Sequence, residues 1–250
     1  MWKIITAALI ATLTTHTFSQ TNIEKVVPLS NANKLELDFV WPDLVTIKGW
    51  DSNEIKLEGM VNINNGLNDE AFKLRVQESG NSIKVSSYIE NHDRLPKRIV
   101  IKKDGQIHFF NTDSRNDPEV RKYLRENGSN FDYMSHGVLK EIQLVIYVPS
   151  SIALDAYCKY GLIEFQYITG ALSASSKYGG IDISVGSLDK KLKAGTRFGE
   201  KYSDLSENFS SISFGDQPGE WDWISYGVSK SEGDQEIQSE FGNIYIRKKP

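Results

Sequence analysis

Three cations occupy the same position of a repeated sequence motif, and their type and spacing suit ligand binding. Lys159, Lys177 and Arg197 each directly precede an aromatic residue and a glycine. If the motifs stack as strands, the cations line up on one outward face, where like charges repel unless acidic side chains or an anionic ligand screen them. The row therefore predicts a binding strip for an acidic glycan or a phosphate-bearing polymer. The alternative is an ordinary solvated strand face, which Glu240 continues with the opposite sign.

Two tryptophans form a second candidate site. Trp221 and Trp223 alternate in EWDWISYG, so a strand places both indoles on one side. Exposed indoles at this spacing would stack on sugar rings. Buried indoles would instead cover the end of a repetitive core, which needs a capped terminus. The sequence leaves both interpretations open.

The residue pattern predicts no catalytic or metal site. Cys158 is the only cysteine, and the equivalent positions of the other motifs hold small hydroxyl residues, so we predict a buried thiol that fills space. Gly179-Gly180 opens a strand rather than a helix, unlike a phosphate-binding loop. Three histidines lie in unrelated contexts without the spacing of metal ligands: His92, His108 and His136. We therefore predict no catalytic residue, no metal and no cofactor.

The motifs that carry the candidate residues have the pattern of β-strands. Leucine, alanine and a small residue alternate with mostly polar residues before each aromatic–glycine pair, which gives one apolar face. The first three motifs start 18 and 20 residues apart, as expected for turns of a β-solenoid. We predict that equivalent side chains stack, that each aromatic ring is buried, and that the glycine forms the following bend. The motifs are Leu154–Gly161, Leu172–Gly179, Leu192–Gly199 and a degenerate copy, Ile237–Gly242.

The rest of the chain divides into an N-terminal β region and a charged insertion. Alternating apolar runs in residues 34–90 fit either the sides of a broad solenoid turn or an antiparallel sandwich. The insertion contains one helix, capped by Asp117, begun by Pro118 and ended at Gly128. It is predicted to be either a partner surface or a packing flap. The predicted domains are residues 1–19, 20–90, 91–137 and 138–250.

Residues 1–19 have the features of an export signal. Lys3 precedes the apolar stretch Ile4–Leu13, and Thr17-Phe18-Ser19 has the small-x-small pattern of a cleavage site. The apolar stretch is shorter than the ~20 residues that a membrane-spanning helix needs, so the mature chain is expected to have no transmembrane segment. We expect export to the periplasm, the cell surface or the medium.

Composition excludes two further classes of protein. The sequence has 29 basic and 33 acidic residues and a net charge of −4, which excludes a nucleic-acid-binding surface that covers the whole protein. A single cysteine excludes an intrachain disulfide framework. The chain must therefore be stabilised by a packed core, for which it is long enough.

The Leu-x-Ala-x-small-x-Tyr/Phe-Gly motifs, the preceding IQLVIYVPSS and the final SEFGNIYIRKK resemble the bacterial DUF4097 family of adhesin-like proteins. The resemblance is clearest over residues 140–250 and weaker over residues 30–90, and the insertion has no counterpart in it. It implies an all-β fold at the cell envelope, a right-handed β-helix-like solenoid, here with a charged insertion that contains one short helix. It implies no catalytic residues.

These observations predict a non-enzymatic envelope protein with an adhesin-like binding, scaffold or sensing function. Its partner is unknown, with an anionic glycan or an envelope protein as the candidates. The alternative is a carbohydrate-active β-helix enzyme that acts on an anionic polysaccharide. Such an enzyme concentrates acidic groups at one position of the repeat, whereas Asp155, Glu164 and Asp182 lie at different or only partly equivalent positions.

Overall fold

The protein is mostly β-structure with one α-helix. The computed structural model describes residues 20–186, 191–205, 209–213, 219–227 and 233–248, and only the backbone of residues 209–213. The predicted export signal, residues 1–19, lies outside the described residues.

The strands are short and follow one another closely along the chain. In the N-terminal half they are β1 (Thr21–Pro28), β2 (Lys34–Phe39), β3 (Leu44–Trp50), β4 (Glu54–Ile63), β5 (Phe72–Ser79), β6 (Ser82–Ile89), β7 (Arg98–Lys103) and β8 (Gln106–Phe110). The helix α1 (Pro118–Asn127) follows, and after it β9 (Tyr133–Gly137), β10 (Lys140–Pro149), β11 (Ala153–Cys158), β12 (Leu162–Gln166), β13 (Leu172–Ser176) and β14 (Ile181–Val185). The remaining strands are β15 (Leu192–Thr196), β16 (Lys201–Ser203), β17 (Phe209–Ser213), β18 (Asp222–Tyr226), β19 (Gln235–Ser239) and β20 (Ile244–Lys248).

The described strands form three sheets. The first has eight strands in the order β1-β4-β10-β3-β12-β14-β20-β16, and the second has nine in the order β17-β18-β15-β19-β13-β11-β2-β6-β5. The third has three strands in the order β8-β7-β9 and belongs to the insertion.

A two-strand unit is repeated five times in the first two sheets. In each unit a strand of the second sheet is followed, after a short corner, by a strand of the first sheet. In chain order, unit 1 is β2–β3, unit 2 is β11–β12, unit 3 is β13–β14, unit 4 is β15–β16 and unit 5 is β19–β20. Neighbouring units pair in parallel and in register, so that Leu154 lies opposite Leu172 and Ala156 opposite Ala174. The predicted stacking of these equivalent side chains is therefore observed.

The order of the units in space differs from their order in the chain. Unit 5 lies between units 3 and 4, because β19 pairs with both β13 and β15, and β20 pairs with both β14 and β16. The sequence analysis expected successive motifs to be neighbours, which holds for units 2 and 3 but not for units 3 and 4.

One hydrophobic core lies between the two large sheets. Every second side chain of a strand points inward, as the alternation predicts. Leu154, Ile163 and Ile237 are each at most 1% exposed and belong to the same cluster of buried residues. At the far end of the stack the inner positions of β16 hold Lys201 and Ser203, so the apolar pattern stops there, as the sequence indicates.

Close backbone contact explains the glycine at each corner. A Cβ atom built on Gly242 would lie 1.8 Å from the carbonyl oxygen of Gly179, and one on Gly199 would lie 2.1 Å from that of Gly242.

The small hydroxyl residue before the corner has a role that the sequence did not reveal. The Ser239 hydroxyl accepts a hydrogen bond from Gly242 N (2.9 Å) and donates one to the Gly179 oxygen (2.8 Å). It thereby ties its own corner to that of the neighbouring unit.

The insertion is a small folded element rather than an isolated helix. Helix α1 is present as predicted, with the Asp117 carboxylate accepting a hydrogen bond from Glu119 N (2.9 Å) and with Gly128 at its end. The three-stranded sheet β8-β7-β9 was not predicted. It forms a separate hydrophobic cluster with the helix, whose buried members are Ile99, Ile101, Phe110 and Val120.

Candidate functional site

Five aromatic rings form a continuous row along the corners of the five units. The rings follow the spatial order of the units, and consecutive centroids are 5.3, 5.4, 5.3 and 4.9 Å apart. We call this row and the cations beside it the aromatic ridge. Its rings are Trp41, Tyr160, Tyr178, Phe241 and Phe198.

The rings of the ridge lie on the surface, and the prediction that they are buried is wrong. Tyr160, Tyr178, Phe241 and Phe198 are between 43% and 53% exposed. The reason is that the strands end before them: β11 stops at Cys158 and β13 at Ser176. Beyond the last strand residue the inward–outward alternation no longer applies, and the ring lies over the outside of the corner.

The faces of these rings are largely covered by one another. Adjacent planes are within 20° of parallel at centroid separations near 5 Å, which is an offset-stacked arrangement. One end is covered as well, since His92 stacks on Trp41 with ring centroids 4.2 Å apart. The ridge therefore offers mainly ring edges and Tyr hydroxyl groups to a ligand.

The three predicted cations lie beside this row. Lys159 Nζ is 4.9 Å from the Tyr160 ring centroid, Lys177 Nζ is 5.4 Å from that of Tyr178, and Arg197 Cζ is 5.2 Å from that of Phe198. These are cation–π distances, which hold each charge close to its ring.

The row of charges is interrupted where unit 5 enters the stack. Glu240 lies between Lys177 and Arg197, with carboxylate oxygens 3.9 Å from Lys177 Nζ and 3.5 Å from an Arg197 nitrogen. Among the described residues no carboxylate lies within 4 Å of Lys159 Nζ. Its contact with the Tyr160 hydroxyl raises the pKa of Lys159, so this side chain remains a cation. The end of the row at Lys159 is thus the more positive one.

A further cation that sequence reasoning missed extends this positive end. Lys140 Nζ lies 4.7 Å from the Trp41 ring centroid and 3.5 Å from His92 Nε2. Burial lowers the pKa of Lys140 and raises the pKa of the nearby Asp43 carboxyl, which accepts a hydrogen bond from Ile142 N (2.8 Å).

A sequence signal for this end of the ridge existed. Trp41 follows Phe39 by two residues, as Tyr160 follows Cys158, but Pro42 stands in place of the glycine. That substitution hides the first copy of the motif. Lys140 carries no signal of its own, since it reaches the ridge from β10, a strand outside the five units.

The two predicted tryptophans form a separate pair on the outer face of the second sheet. The ring centroids of Trp221 and Trp223 are 5.7 Å apart, and both side chains are partly buried. Trp223 covers Gly195, where an added Cβ would lie 2.4 Å from the indole, and Lys193 Nζ lies 3.8 Å from the ring centroid. They are not members of the aromatic ridge, and ligand binding by this pair stays a prediction.

The acidic residues of the enzyme alternative divide between the two sheets: Asp155 lies apart, whereas Glu164 and Asp182 occupy the same position of neighbouring units. Asp155 lies on the second sheet and pairs with Lys34 at 2.6 Å. Glu164 and Asp182 are register partners on the first sheet, where Asp182 pairs with Arg247 at 2.7 Å and Glu164 accepts a hydrogen bond from the Thr46 hydroxyl at 3.0 Å. Each carboxylate thus has a partner within the protein.

Cys158 is buried, as its position in the motif predicts, and His92 and His108 lie in different parts of the molecule. Cys158 is fully buried, and burial raises the pKa of its thiol. His92 belongs to the end of the ridge, and His108 stacks on Tyr123 of α1 with centroids 4.6 Å apart.

Within the part of the chain that the structure describes, no three His, Cys, Asp or Glu side chains form a group able to hold a metal ion. None of its helices has the length and apolar character needed to cross a membrane.

Comparison with known proteins gives two structural similarities. No family model and no curated protein matches the chain, so the resemblance to DUF4097 is not confirmed. A putative cell adhesion protein from Clostridium sporogenes is 13% identical, with a TM-score of 0.49, over 92% of this chain and all of the other. A putative adhesin from Bacteroides fragilis is 10% identical, with a TM-score of 0.24, over 93% of this chain and 99% of the other. Neither similarity is close enough to transfer a fold or a function.

Proposed function

We propose that the five units are windings of a right-handed β-helix-like solenoid of the DUF4097 type. Parallel, in-register pairing of every neighbouring pair of units in both sheets supports this architecture. We propose a right-handed winding because the connection between two parallel strands of one sheet is nearly always right-handed. We accordingly propose that the protein is exported to the bacterial envelope and that residues 1–19 are its export signal.

We propose further that the protein is a non-enzymatic, adhesin-like binding module whose aromatic ridge holds an anionic polymer. The observation that carries this function is a row of stacked rings, four of them exposed, with a cation beside four of the five rings. Two carboxyl groups offset the row among the described residues of the ridge: Glu240 lies between Lys177 and Arg197, and Asp43 lies near Lys140. An extended polyanion can contact several of these cations at once, which gives an avidity that no single surface cation provides.

The covered ring faces favour an anionic ligand over a neutral sugar chain. Flat stacking of a sugar needs a free aromatic face, and the faces within the ridge are covered by neighbouring rings and, at the Trp41 end, by His92. Ring edges carry partial positive charge, and so they add to the attraction that the ammonium and guanidinium groups exert on an anion. Charge, and not ring stacking, is therefore the proposed basis of recognition.

The test is binding of labelled polygalacturonate and labelled polyphosphate, measured by fluorescence anisotropy at several salt concentrations. These two probes separate carboxylate from phosphate recognition, and neutral dextran serves as the uncharged comparison. We expect salt-sensitive binding of at least one polyanion and none of dextran. Lys159→Glu combined with Lys177→Glu should weaken that binding about tenfold or more, because a cation near an anionic surface contributes about 1 kcal/mol.

The matched control is Lys25→Glu combined with Lys122→Glu. Both lysines are exposed and lie on β1 and α1, away from the ridge, and the change in net charge is the same. Equal weakening by both double variants would assign binding to overall charge and not to the ridge. Unchanged affinity of the Lys159/Lys177 variant would remove the ridge from consideration.

The enzyme alternative is tested in the same incubations. Glu164 and Asp182 lie side by side over a recess of about 200 Å³, but Arg247 already neutralises Asp182. Glu164 is engaged as well, since it accepts a hydrogen bond from the Thr46 hydroxyl. We expect no new unsaturated ends and no reducing sugar from polygalacturonate. The appearance of either product would replace the binding-only proposal.

A further inference from the structure

The insertion presents a mixed apolar and basic surface on the side of its sheet that faces away from α1. In β7, β8 and β9 the side chains of Ile99, Ile101 and Phe110 pack with Val120 of the helix in the separate core. The alternate positions of the same strands point to the opposite side of the sheet. We call this side the outer face, and its larger side chains are Arg98, Val100, Lys102, Ile107, Phe109 and Tyr133.

The outer face carries exposed apolar side chains on two of its three strands. Ile107 and Tyr133 are 53% and 56% exposed, and Phe109 is 38% exposed. Ile107 and Tyr133 are both register partners of Lys102, so the lysine lies between an aliphatic and an aromatic side chain. Single exposed apolar residues are ordinary on a protein surface, whereas several on one small face mark an interaction site.

The charge of the outer face is positive. Its cations are Lys102 and Arg98, and in the described strands β7, β8 and β9 no acidic residue occupies a position of this face. Asp104 and Asp132 lie just beyond the strand ends, and among the described residues no carboxylate oxygen lies within 4 Å of a Lys102 or Arg98 nitrogen. Residues 91–137 as a whole have a net charge of +2 in a chain of −4. The face therefore complements an anionic surface.

The size of the outer face favours a lipid surface over a folded protein. Three strands about 4.8 Å apart and about five residues long, at about 3.4 Å per residue, give a face of roughly 240 Å². A stable protein–protein interface needs about 800 Å² from each partner. A peptide that adds as a strand would pair with the backbone edge of β8 or β9 and would leave this face uncovered. Binding to a bilayer instead scales with the apolar area that enters it and with the attraction to anionic lipids, so a small face contributes by itself.

We propose that the outer face docks the insertion on a lipid bilayer that contains anionic lipids. Ile107 enters the boundary between headgroups and acyl chains, where burial of its apolar surface is favourable. The Tyr133 side chain combines an apolar ring with a polar hydroxyl, which suits the headgroup level. Lys102 and Arg98 attract the anionic headgroups, as basic residues close to a membrane surface do. The inference is independent of the aromatic ridge, whose function does not involve this face.

The test measures binding of the full chain to sedimented vesicles, made either of phosphatidylcholine alone or of phosphatidylcholine and phosphatidylglycerol in equal parts. Each protein is also made without residues 2–19, so that binding by the apolar N-terminal stretch is measured separately. We expect binding to the phosphatidylglycerol vesicles to be at least about tenfold stronger than to phosphatidylcholine alone. Ile107→Ser combined with Tyr133→Ser should weaken it at least about tenfold, because less apolar area enters the bilayer. Lys102→Gln should weaken it about fivefold.

The matched control is Val26→Ser combined with Leu67→Ser. These two apolar side chains of the body are 49% and 61% exposed, and their removal should leave vesicle binding unchanged. All four serine substitutions are at exposed positions, and unchanged urea-unfolding midpoints would verify that the variants fold.

A local probe shows whether the outer face itself meets the lipid. In a Cys158→Ser background, which has the residue found at the equivalent position of units 3 and 5, Ile107→Cys or Glu126→Cys is labelled with the environment-sensitive dye NBD. We expect phosphatidylglycerol vesicles to shift the emission of the dye at Ile107→Cys to the blue. The dye at Glu126→Cys, an exposed position on α1, should show no shift.

Several results would overturn the proposal. The first is absence of vesicle binding by the wild-type protein, which would leave the face to a protein partner. The second is loss of binding in the Lys159→Glu with Lys177→Glu variant while the Ile107/Tyr133 variant retains it, which would assign the vesicles to the ridge. The third is a blue shift at Ile107→Cys that needs no vesicles and increases with protein concentration, which would assign the face to a second copy of the chain.

Discussion

The two-sheet body and the insertion are built on opposite principles. The five units of the body join strands that are distant in the chain, such as β2 with β11 and β13 with β19, in parallel and around one continuous core, while antiparallel pairs such as β5–β6 and β17–β18 lie at its edges. The insertion joins neighbouring strands in antiparallel fashion and covers them with a helix of the same segment. Its separate core has only a few buried residues, including Ile101 and Val120. The body therefore depends on every unit being in place, while the insertion can open by itself.

A buried asparagine is one of the side chains that join these two regions. Asn64, in the turn after β4, is 1% exposed. Its Nδ2 donates to the Pro96 oxygen (2.9 Å) and its Oδ1 accepts from Leu139 N (3.1 Å). Asn64 thus holds the segments on both sides of the three-stranded sheet, at Pro96 and Leu139, against the edge of the body.

The largest effect that separates the two regions is expected from glycine substitution. Gly242→Ala should destabilise the body by at least about 3 kcal/mol, because its Cβ would overlap the Gly179 oxygen and overpacking of this kind is costly. Gly137→Ala, in β9 of the insertion, meets nothing within 4 Å and should change stability by no more than about 0.5 kcal/mol. Urea unfolding followed by circular dichroism measures both. Equal midpoints would show that the corners do not need the close backbone contact.

Core truncations should distinguish global from local unfolding. Ile237→Ala removes a fully buried side chain from the middle of the second sheet and should cost about 2–5 kcal/mol over the whole body. Val120→Ala, equally buried, should instead lower hydrogen-exchange protection only in β7, β8, β9 and α1. Loss of protection throughout the body in the Val120→Ala variant would contradict the independence of the insertion.

The junction is tested by Asn64→Gly. Asn64 has a positive φ of 53°, which glycine adopts without strain, so this variant removes only the side-chain hydrogen bonds. We expect a loss of about 2 kcal/mol, since Leu139 N–H loses its partner in a buried place. Hydrogen exchange of the Leu139 amide, measured by NMR, should become faster in the variant before hydrogen exchange of the β10 amides does. A change confined to the body would mean that Asn64 does not hold the insertion.

The smallest predicted effect concerns the pH dependence at the same junction. Burial lowers the pKa of Lys140 below its ordinary value of 10.5, so the unfolded chain binds this proton more tightly than the folded one. Stability therefore rises with pH between the folded-state pKa and 10.5. Relative to Lys140→Met, the wild-type protein should gain stability as the pH rises toward 10.5. A difference between the two proteins that stays constant over this range would refute the assignment.

Sequence patterns predicted much of the body and one element of the insertion. Alternation identified Leu154, Ala156 and Cys158 as inward residues, and the motif spacing predicted the pairing of unit 2 with unit 3. The signals of Asp117 and Gly128 located α1. The third sheet was missed because its strands are short, and one face of it packs against a helix and not against the body.

The candidate site was predicted only in part. The cations Lys159, Lys177 and Arg197 were found from their shared position, but the same rule of alternation placed the adjacent rings on the wrong side. Alternation describes a strand, and the rings lie just beyond the strand ends. Lys140 and His92 reach the ridge from distant parts of the chain, so no local pattern could connect them to it.

The amino-acid sequence by itself determined which side chains face the core, where the corners fall, and that units of this type can stack. Tertiary structure decided the order of stacking and the composition of the ridge. The physical reason is degeneracy: equivalent units offer each other the same hydrogen bonds and the same inner side chains, so local pairing rules do not distinguish one neighbour from another. Only the packing of the whole chain places unit 5 between units 3 and 4, and with it Glu240 and Phe241 in the ridge.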